Sequence, residues 1–446
     1  MDTNISMISL GCSKNLVDSE IMMGLLDKEG FKLTNDLEKA NIIIINTCGF
    51  IDSAKEEAID TILEMSEYKK YGNCNMIIVA GCLSERYREE LLKEMPEIDA
   101  VIGTGNIQEI AKIIKNYNND KVIKVGEIDN NYFEDSNRIP IEPGVTSYIK
   151  ISEGCNNHCT YCIIPKLRGK YRSRNMESII NEARELVKKG TKELILIAQD
   201  TTKYGIDIYG DFKLPELLNE LNKIEDLEWI RILYMYPETF SEGLIKAIKD
   251  NDKVVKYVDI PIQHINNDVL KRMNRKTNKS TIKNLITNLR DEIPNIIIRT
   301  TLIVGFPGES EKEFNELYSF VKDIKFDRLG VFTYSKEEGT AAAKMKNQIN
   351  ENTKKYRQSQ IMELQMEISD DLNNKRIGNI YDVVIEEKID GENLYLGRTY
   401  MDSPEIDGCV YIESSHDIDI GKFKKVKIIE SYEYDLKGVI IDEFSK

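Results

Sequence analysis

Three short apolar runs in the first 125 residues are each followed by a cysteine that stands next to a glycine. The runs span residues 5–10, 42–45 and 76–80, and the cysteines are Cys12, Cys48 and Cys82. A segment with apolar residues at helical spacing follows each run, so the pattern predicts successive strand–helix units around a parallel sheet. The carboxyl ends of parallel strands meet at one edge, where open sheets bind ligands. We therefore expect the three thiols to converge at that edge.

A single cysteine of this kind is more often a small buried hydrophobic residue than a ligand. Three cysteines at the same place in three units favour a shared metal or cluster site instead. The neighbouring Gly11, Gly49 and Gly81 are typical of tight turns where the backbone approaches a bound group closely. Cys74 lies outside the pattern, ahead of its strand, and is predicted to be a core residue.

The sequence also indicates the cellular compartment of the protein. No apolar run approaches the roughly 18 residues that span a bilayer, and the first residues lack the basic segment of a secretory signal. We therefore predict a cytoplasmic protein without a membrane partner. Thiols stay reduced there, so the eight cysteines are ligands, catalysts or core residues rather than a disulfide framework. The net charge of -15 argues against a surface that binds nucleic acid throughout.

A polar stretch at 129–147, with Pro140, Pro143 and Gly144, predicts a linker to a second domain. Six strand-like segments follow, with helical patterns between them. They span residues 148–152, 193–198, 229–235, 257–262, 296–304 and 328–334. Six strand–helix units indicate a partial or open barrel, whose chemistry is expected at the carboxyl ends of the strands.

Cys155, Cys159 and Cys162 form a C-x3-C-x2-C array directly after the first of these six strands. Three thiols this close are expected to share a metal or cluster. Zinc is the competing interpretation, but a structural zinc site requires four closed ligands, and no fourth Cys or well-placed His completes this array. A four-iron cubane with three cysteine ligands keeps one iron open to a substrate or cofactor.

This array at the first strand of a six-unit barrel resembles the radical S-adenosylmethionine (radical SAM) superfamily. The resemblance implies a 4Fe-4S cluster on Cys155, Cys159 and Cys162, whose open iron chelates S-adenosylmethionine. A preceding domain with one cysteine per strand–helix unit further resembles the methylthiotransferases of that superfamily. That resemblance implies a second 4Fe-4S cluster on Cys12, Cys48 and Cys82.

Several strand ends of the barrel also match the superfamily. The resemblance suggests S-adenosylmethionine contacts at Gln199, Gln263, His264, Gly305 and Gly308. Each of these positions could equally be a turn or a helix cap. A basic run follows the cysteine array, and it is either a solvated loop or a site for cofactor or substrate carboxylates. The run consists of Arg168, Lys170, Arg172 and Arg174. No catalytic residue is assigned.

The third region has short alternating runs separated by glycines after a helical stretch at 352–373, which predicts a small antiparallel β-barrel. In this position it resembles the TRAM domain. Cys409 is predicted to lie mid-strand in its core. The chain is thus expected to be an α/β protein with three domains: a parallel βα domain at 1–128, a partial (βα)6 barrel at 145–372 and a TRAM-like barrel at 374–446.

Two local matches concern the substrate. Ser13-Lys14, after the first cysteine, and the segment 402–408 are similar to the branch that modifies an aspartate of small-subunit ribosomal protein S12. The branch that modifies transfer-RNA adenosine typically has Gln-Met in place of Ser13-Lys14. The resemblance implies ribosomal protein S12 as partner, with an electron donor such as flavodoxin or ferredoxin and a sulfur source.

Three alternatives remain open: a transfer-RNA methylthiotransferase, a non-catalytic iron-sulfur protein and an RNA-binding scaffold. Residues 376–446 carry nine Lys and Arg against sixteen Asp and Glu, a net charge of -7. This charge is unfavourable for binding RNA phosphates and favourable for docking a basic ribosomal protein, although it is also that of an ordinary solvated surface. Lys422 to Lys427 form a local basic stripe that could still touch RNA.

Overall fold

The computed structural model describes residues 3–126, 128–129, 138–141, 144–389, 391–414 and 416–441. Much of the predicted linker, residues 130–137 and 142–143, lies outside this range. Among the described residues, no helix is long and apolar enough to cross a membrane.

The N-terminal unit is a six-stranded, entirely parallel sheet in the order β2-β1-β3-β4-β5-β6. Its strands are β1 (Asn4–Ser9), β2 (Lys32–Leu33), β3 (Ile42–Thr47), β4 (Met76–Gly81), β5 (Ala100–Ile102) and β6 (Val122–Lys124). Its helices are α1 (Ser13–Lys28), α2 (Asp52–Tyr71), α3 (Cys82–Glu94) and α4 (Ile110–Lys115). Every residue of β3 and β4 is buried, because helices cover both faces of a parallel sheet. Strands β2, β5 and β6 were not predicted, since two or three residues are too few to show a period.

The central unit contains the six predicted strands as two parallel sheets, β7-β10-β11 and β12-β13-β14, with a small β8-β9 pair at one end. A backbone hydrogen bond of 2.9 Å from Met235 N to Asp259 O links the two sheets. The strands are β7 (Thr146–Lys150), β8 (Ser152–Glu153), β9 (Arg172–Ser173), β10 (Glu193–Ile197), β11 (Trp229–Ile232), β12 (Tyr257–Asp259), β13 (Ile297–Val304) and β14 (Arg328–Thr333).

Most helices of this unit pack on the outer face of the strands, whereas α5 lies against the N-terminal unit. They are α5 (Ile164–Arg168), α6 (Met176–Lys188), α7 (Ile206–Tyr209), α8 (Leu214–Leu221), α9 (Glu242–Asp250), α10 (Asn267–Arg272), α11 (Lys279–Glu292), α12 (Glu311–Ile324) and α13 (Glu351–Asn374). Strand residues alternate between the two faces. In β10, for example, Leu194 and Leu196 join the core under the helices, whereas Ile195 and Ile197 belong to a separate core cluster.

The C-terminal unit is a closed five-stranded barrel in the order β15-β16-β17-β19-β18. Its strands are β15 (Ile380–Lys388), β16 (Leu394–Thr399), β17 (Val410–Glu413), β18 (Phe423–Ser431) and β19 (Leu436–Ile440). The predicted α/β class with a central partial barrel and a C-terminal antiparallel barrel is confirmed, with one exception: β17 and β19 pair in parallel. The three domain bounds stay predictions. Cys74 is buried as predicted, but the prediction for Cys409 was wrong, because it is partly exposed and precedes β17.

The segment 402–408 attaches this barrel to the central unit. Arg328 Nε donates to Asp402 Oδ1 at 2.9 Å, and Tyr257 Oη donates to Asp407 Oδ2 at 2.7 Å. Arg328 is the first residue of β14, and Tyr257 is the first residue of β12. The C-terminal barrel therefore docks at the amino ends of the central strands and leaves the carboxyl ends to the N-terminal unit.

Candidate functional site

The three N-terminal cysteines lie in adjacent turns at the carboxyl edge of their sheet, after β1, β3 and β4. A Cβ added at Gly11 would lie 2.6 Å from the Cβ of Cys48, and one at Gly49 would lie 3.0 Å from the carbonyl carbon of Cys82. The glycines therefore let the three turns pack against one another. The predicted convergence of these turns is present in the fold.

The thiols of these turns also influence one another's charge. Burial, opposed by Arg168 and reinforced by nearby Cys48 and Cys12, raises the pKa of Cys82 to about 12. Burial likewise raises the pKa of Cys48. Desolvation would raise the pKa of Cys12 too, but Lys14 and Arg168 bring it below its usual value. Two cations thus favour thiolate ligands at this triad.

Arg168 connects this triad to the central unit. It ends helix α5, which begins two residues after Cys162, and its guanidinium is buried among residues of the N-terminal helix α1. Its Nη1 donates to Asp18 Oδ2 at 3.0 Å and to Glu153 Oε2 at 2.8 Å, and its Nη2 donates to Asn15 Oδ1 at 2.6 Å. The chain segment that carries the second triad is therefore bonded directly to the helix that follows Cys12.

Lys150 completes this network. It is fully buried at the end of β7, and its Nζ donates to Glu153 Oε2 at 2.7 Å and also to Asp18. Two cations and two carboxylates thus neutralise each other between the units, which is the condition under which buried charge is tolerated. Arg168 and Lys150 hold the pKa of Glu153 well below its usual range against the effect of burial.

The second triad occupies the loop after β8. Cys155 N donates to Gly169 O at 3.1 Å, and Cys162 N donates to Cys159 O at 3.1 Å. The Sγ of Cys159 lies 2.8 Å from the Oη of Tyr236. Burial raises the pKa of Cys155 to about 11 and also raises that of Cys162, and neighbouring thiols add to both effects.

Both triads have the donor set of a 4Fe-4S cluster, which is three thiols on closely packed turns. Within the described residues, no group of three or more Cys, His, Asp or Glu side chains is placed to hold a single metal ion. In a cubane each thiolate binds a different iron, so the ligands need not share one centre. The residues present therefore fit two clusters, and the six cysteine assignments stay predictions.

The polar residues predicted to contact S-adenosylmethionine lie at strand ends of the central barrel. Gln199 Nε2 donates to Glu153 Oε1 at 2.6 Å, so this side chain belongs to the Arg168 network. Gln263 has a positive φ of 67°, and its buried Oε1 has no partner among the described residues. His264 is fully buried, and its Nδ1 accepts from Asn266 N at 3.0 Å. The structure thus brings Gln199 to the interface between the units and holds His264 within the barrel.

Gly305 and Gly308 adopt φ values of +73° and +77° in the turn after β13. A Cβ at Gly305 would lie 2.3 Å from Cγ of Lys354, whereas one at Gly308 would meet no atom closer than 3.8 Å. Gly305 is therefore required by the packing of α13. Beside Gly308, by contrast, there is space for a Cβ without a close contact.

Both interpretations of the basic run were wrong for Arg168 and Arg174. Each is buried and pairs with the protein's own carboxylates; Arg174 Nη1 donates to Glu182 Oε2 at 2.5 Å. These two arginines therefore bond separate segments of the chain to each other. The sequence did not predict Lys150 and Glu153 as residues of the site. A lysine and a glutamate within an otherwise apolar strand were the available signal, because such charges are rarely buried unless they are paired.

Three family models match the chain: the Uncharacterized protein family UPF0004 at residues 4–103, the radical SAM superfamily at 149–321 and the TRAM domain at 377–441. The ribosomal protein uS12 methylthiotransferase RimO of Clostridioides difficile (strain 630) is 52% identical over 442 residues, 99% of each chain. RimO of Thermoanaerobacter sp. (strain X514) is 53% identical over 436 residues, 98% of this chain and 99% of that one.

Two solved structures share the fold. The radical S-adenosylmethionine methyltransferase TsrM from Kitasatospora setae, with cobalamin and a 4Fe-4S cluster bound, matches with a TM-score of 0.55 at 13% identity, covering 75% of this chain and 72% of that chain. The cobalamin-dependent S-adenosylmethionine radical enzyme OxsB matches with a TM-score of 0.54 at 12% identity, covering 81% of this chain and 56% of that chain.

Proposed function

Because the chain belongs to the RimO family of ribosomal protein uS12 methylthiotransferases, we propose that it is a radical SAM enzyme that attaches a methylthio group to the β-carbon of an aspartate in uS12 (ribosomal protein S12). One observation carries this proposal. The chain segments that carry the two cysteine triads, on the N-terminal and central units, are bonded to each other through the buried network of Arg168. A reaction that needs two cluster sites side by side fits this arrangement.

The reaction replaces a C–H bond of the aspartate β-carbon with a C–S bond. When bound, the clusters and S-adenosylmethionine supply the sulfur site, the methyl group and the radical chemistry that removes the hydrogen. The residues of the chain bind and position these groups. Cys12, Cys48 and Cys82 would hold one cluster and the triad at 155–162 the other, and Arg168 bonds the segments that carry the two triads to each other.

Further partners follow from this chemistry. A reduced flavodoxin or ferredoxin supplies electrons, a separate sulfur source replaces the sulfur consumed, and a ribosomal substrate places the enzyme in the cytoplasm. The C-terminal barrel, with its net charge of -7, complements a basic ribosomal protein. Its stripe from Lys422 to Lys427 is partly neutralised, because Lys425 Nζ lies 2.8 Å from Asp382 Oδ1.

The test is turnover of two substrates by anaerobically reconstituted enzyme. It is incubated with S-adenosylmethionine and a reductant, and with either uS12 or transfer RNA. Mass spectrometry should find the methylthio group on the uS12 aspartate and none on transfer-RNA adenosine. Modification of the adenosine alone would instead establish the transfer-RNA activity. Failure to cleave S-adenosylmethionine would refute the radical chemistry itself.

A further inference from the structure

Lys14 is a buried cation at the start of the helix that follows the first triad. It is the second residue of α1, two positions after Cys12, and its side chain is only 6% exposed. Its Nζ lies 3.1 Å from the centroid of the Tyr234 ring. Lysines are almost never this deeply buried unless they are paired, so the partner of this ammonium needs to be identified.

Within the described residues, the ammonium of Lys14 forms no hydrogen bond or ion pair with a carboxylate; it lies over the ring of Tyr234 and acts electrostatically on the thiol of Cys12. The ring attracts an ammonium through its quadrupole but carries no net charge to neutralise it. Lys150 is the informative contrast, because it is equally buried and is paired with Asp18 and Glu153. Apart from the Cys12 thiolate, the described residues offer the ammonium of Lys14 no anion, so its charge is available to a carboxylate that comes from outside the chain.

Tyr234 is held rigidly beneath this ammonium. It lies just past the carboxyl end of β11 with a φ of 59°, a conformation that is strained for a residue other than glycine. Its N donates to Asp259 Oδ2 at 2.9 Å, and its O accepts from Thr201 N at 3.1 Å. Such strain persists only where the surroundings enforce it, and it is concentrated at functional sites.

The position of the ammonium is between the two triads. On one side, Lys14 is in the first turn of α1, whose N-cap residue is Cys12 of the first triad. On the other side, Tyr234 is two residues from Tyr236, whose Oη lies 2.8 Å from the Sγ of Cys159. A substrate that receives sulfur from one site and loses hydrogen to the other has to occupy this region.

We propose that Lys14 binds the side-chain carboxylate of the substrate aspartate and thereby positions its β-carbon between the two cluster sites. This inference rests on the proposed function. A charge-assisted hydrogen bond between ammonium and carboxylate satisfies both groups in a region from which water is largely excluded. An asparagine or a nucleobase would leave the ammonium without its counter-charge, so Lys14 selects an acidic substrate.

The experiment measures the preference for aspartate directly. A synthetic uS12 peptide centred on the target aspartate, and the same peptide with that Asp replaced by Asn, are titrated into reconstituted enzyme. Wild-type enzyme should bind the Asp peptide about 10- to 100-fold more tightly, as expected for one hydrogen bond between charged groups. In Lys14→Met this ratio should fall to about one, whereas Lys14→Arg, which keeps the charge, should retain part of it.

Lys28→Met is the matched control, because it removes an exposed lysine from the same helix and should leave the ratio unchanged. A wild-type enzyme that binds both peptides equally would overturn the proposal without any variant. Lys14→Met with an unchanged ratio would also overturn it; if that variant in addition lost iron, Lys14 would serve the first cluster instead. The uS12 turnover test described above separates these outcomes from failure of the proposed function.

Discussion

The two cysteine triads offer the same three thiols but are built in different ways. Cys155, Cys159 and Cys162 lie on one loop, and hydrogen bonds within the central unit hold that loop in place. Cys12, Cys48 and Cys82 come from turns after three different strands, which only the completed sheet brings together. The local triad depends on its spacing in the sequence, whereas the dispersed triad depends on the tertiary fold.

The two triads also differ in their electrostatic surroundings. At the dispersed triad, Arg168 favours the thiolate at all three cysteines, and Lys14 adds to this at Cys12. At the local triad, burial, Asp200 and Cys159 raise the pKa of Cys155 to about 11 against the opposing charge of Lys203. Iron therefore has to displace protons from thiols of raised pKa at both triads, with Arg168 and Lys14 as the nearby cations at the dispersed triad and Lys203 at Cys155. The principal cation near the dispersed triad, Arg168, belongs to the chain segment that follows the local triad.

Removing the local triad should have the largest effect on radical chemistry. Replacing Cys155, Cys159 and Cys162 with Ala should abolish 5′-deoxyadenosine formation but leave about half of the iron, because the other triad is intact. Iron analysis and chromatography of the reaction products measure the two quantities. Residual 5′-deoxyadenosine would show that the radical site lies elsewhere.

Removing the dispersed triad should separate the two functions. Replacing Cys12, Cys48 and Cys82 with Ala should also leave about half of the iron, but S-adenosylmethionine cleavage should continue while methylthio transfer to uS12 stops. The measurement compares both products from one reaction. If cleavage vanished while the local triad still carried iron, the division of labour between the triads would be wrong.

Breaking the link between the triads should have an intermediate effect. In Arg168→Met, Asp18 and Glu153 share the one remaining cation, Lys150, so we expect a loss of about 3 kcal/mol in the free energy of unfolding. Arg168→Lys should recover little, because an ammonium cannot reproduce the bonds of the guanidinium fork. Chemical denaturation measures the loss. Lys170→Met, an exposed position of the same basic run, is the control, and an equal loss there would refute the role of the link.

Mild acid should distinguish the units by a smaller effect. Burial lowers the pKa of His264 to about 3, whereas the N-terminal 128 residues contain no histidine. The unfolded chain therefore takes up a proton below about pH 6.5 that the folded barrel does not bind, so the contribution of His264 to stability falls by about 2 kcal/mol from pH 7 to pH 5. Glu309, whose pKa burial raises to about 7, contributes a gain of similar size over the same interval, so the His264 contribution is read from the difference between wild type and a His264 variant.

Denaturation curves at several pH values, with hydrogen exchange to locate the unit that opens, test this prediction. Relative to wild type, His264→Gln should become more stable by about 2 kcal/mol between pH 7 and pH 5, and His158→Gln, which removes an exposed histidine of the same unit, should not. A difference between His264→Gln and wild type that does not change with pH would contradict the assignment.

The sequence by itself determined the order of the elements and the location of both triads. Apolar runs with the right period gave the six barrel strands and the main strands of the N-terminal sheet, because period and spacing are local properties of the chain. The array at 155–162 was complete within one loop. The three dispersed cysteines were recognisable because each recurs at the same place in a repeated unit.

Only the tertiary structure decided how the units meet. Lys150 pairs with Asp18, and Arg168 with Asn15, residues that are more than 130 positions apart in the chain. No periodicity records such a pairing, since it depends on how two separately folded sheets pack. The same holds for Lys14, a branch marker in the sequence, which the fold places over the ring of Tyr234 without a carboxylate partner among the described residues. Spacing can show that charged residues are present, but their partners are set by packing, because burial makes an unpaired charge costly.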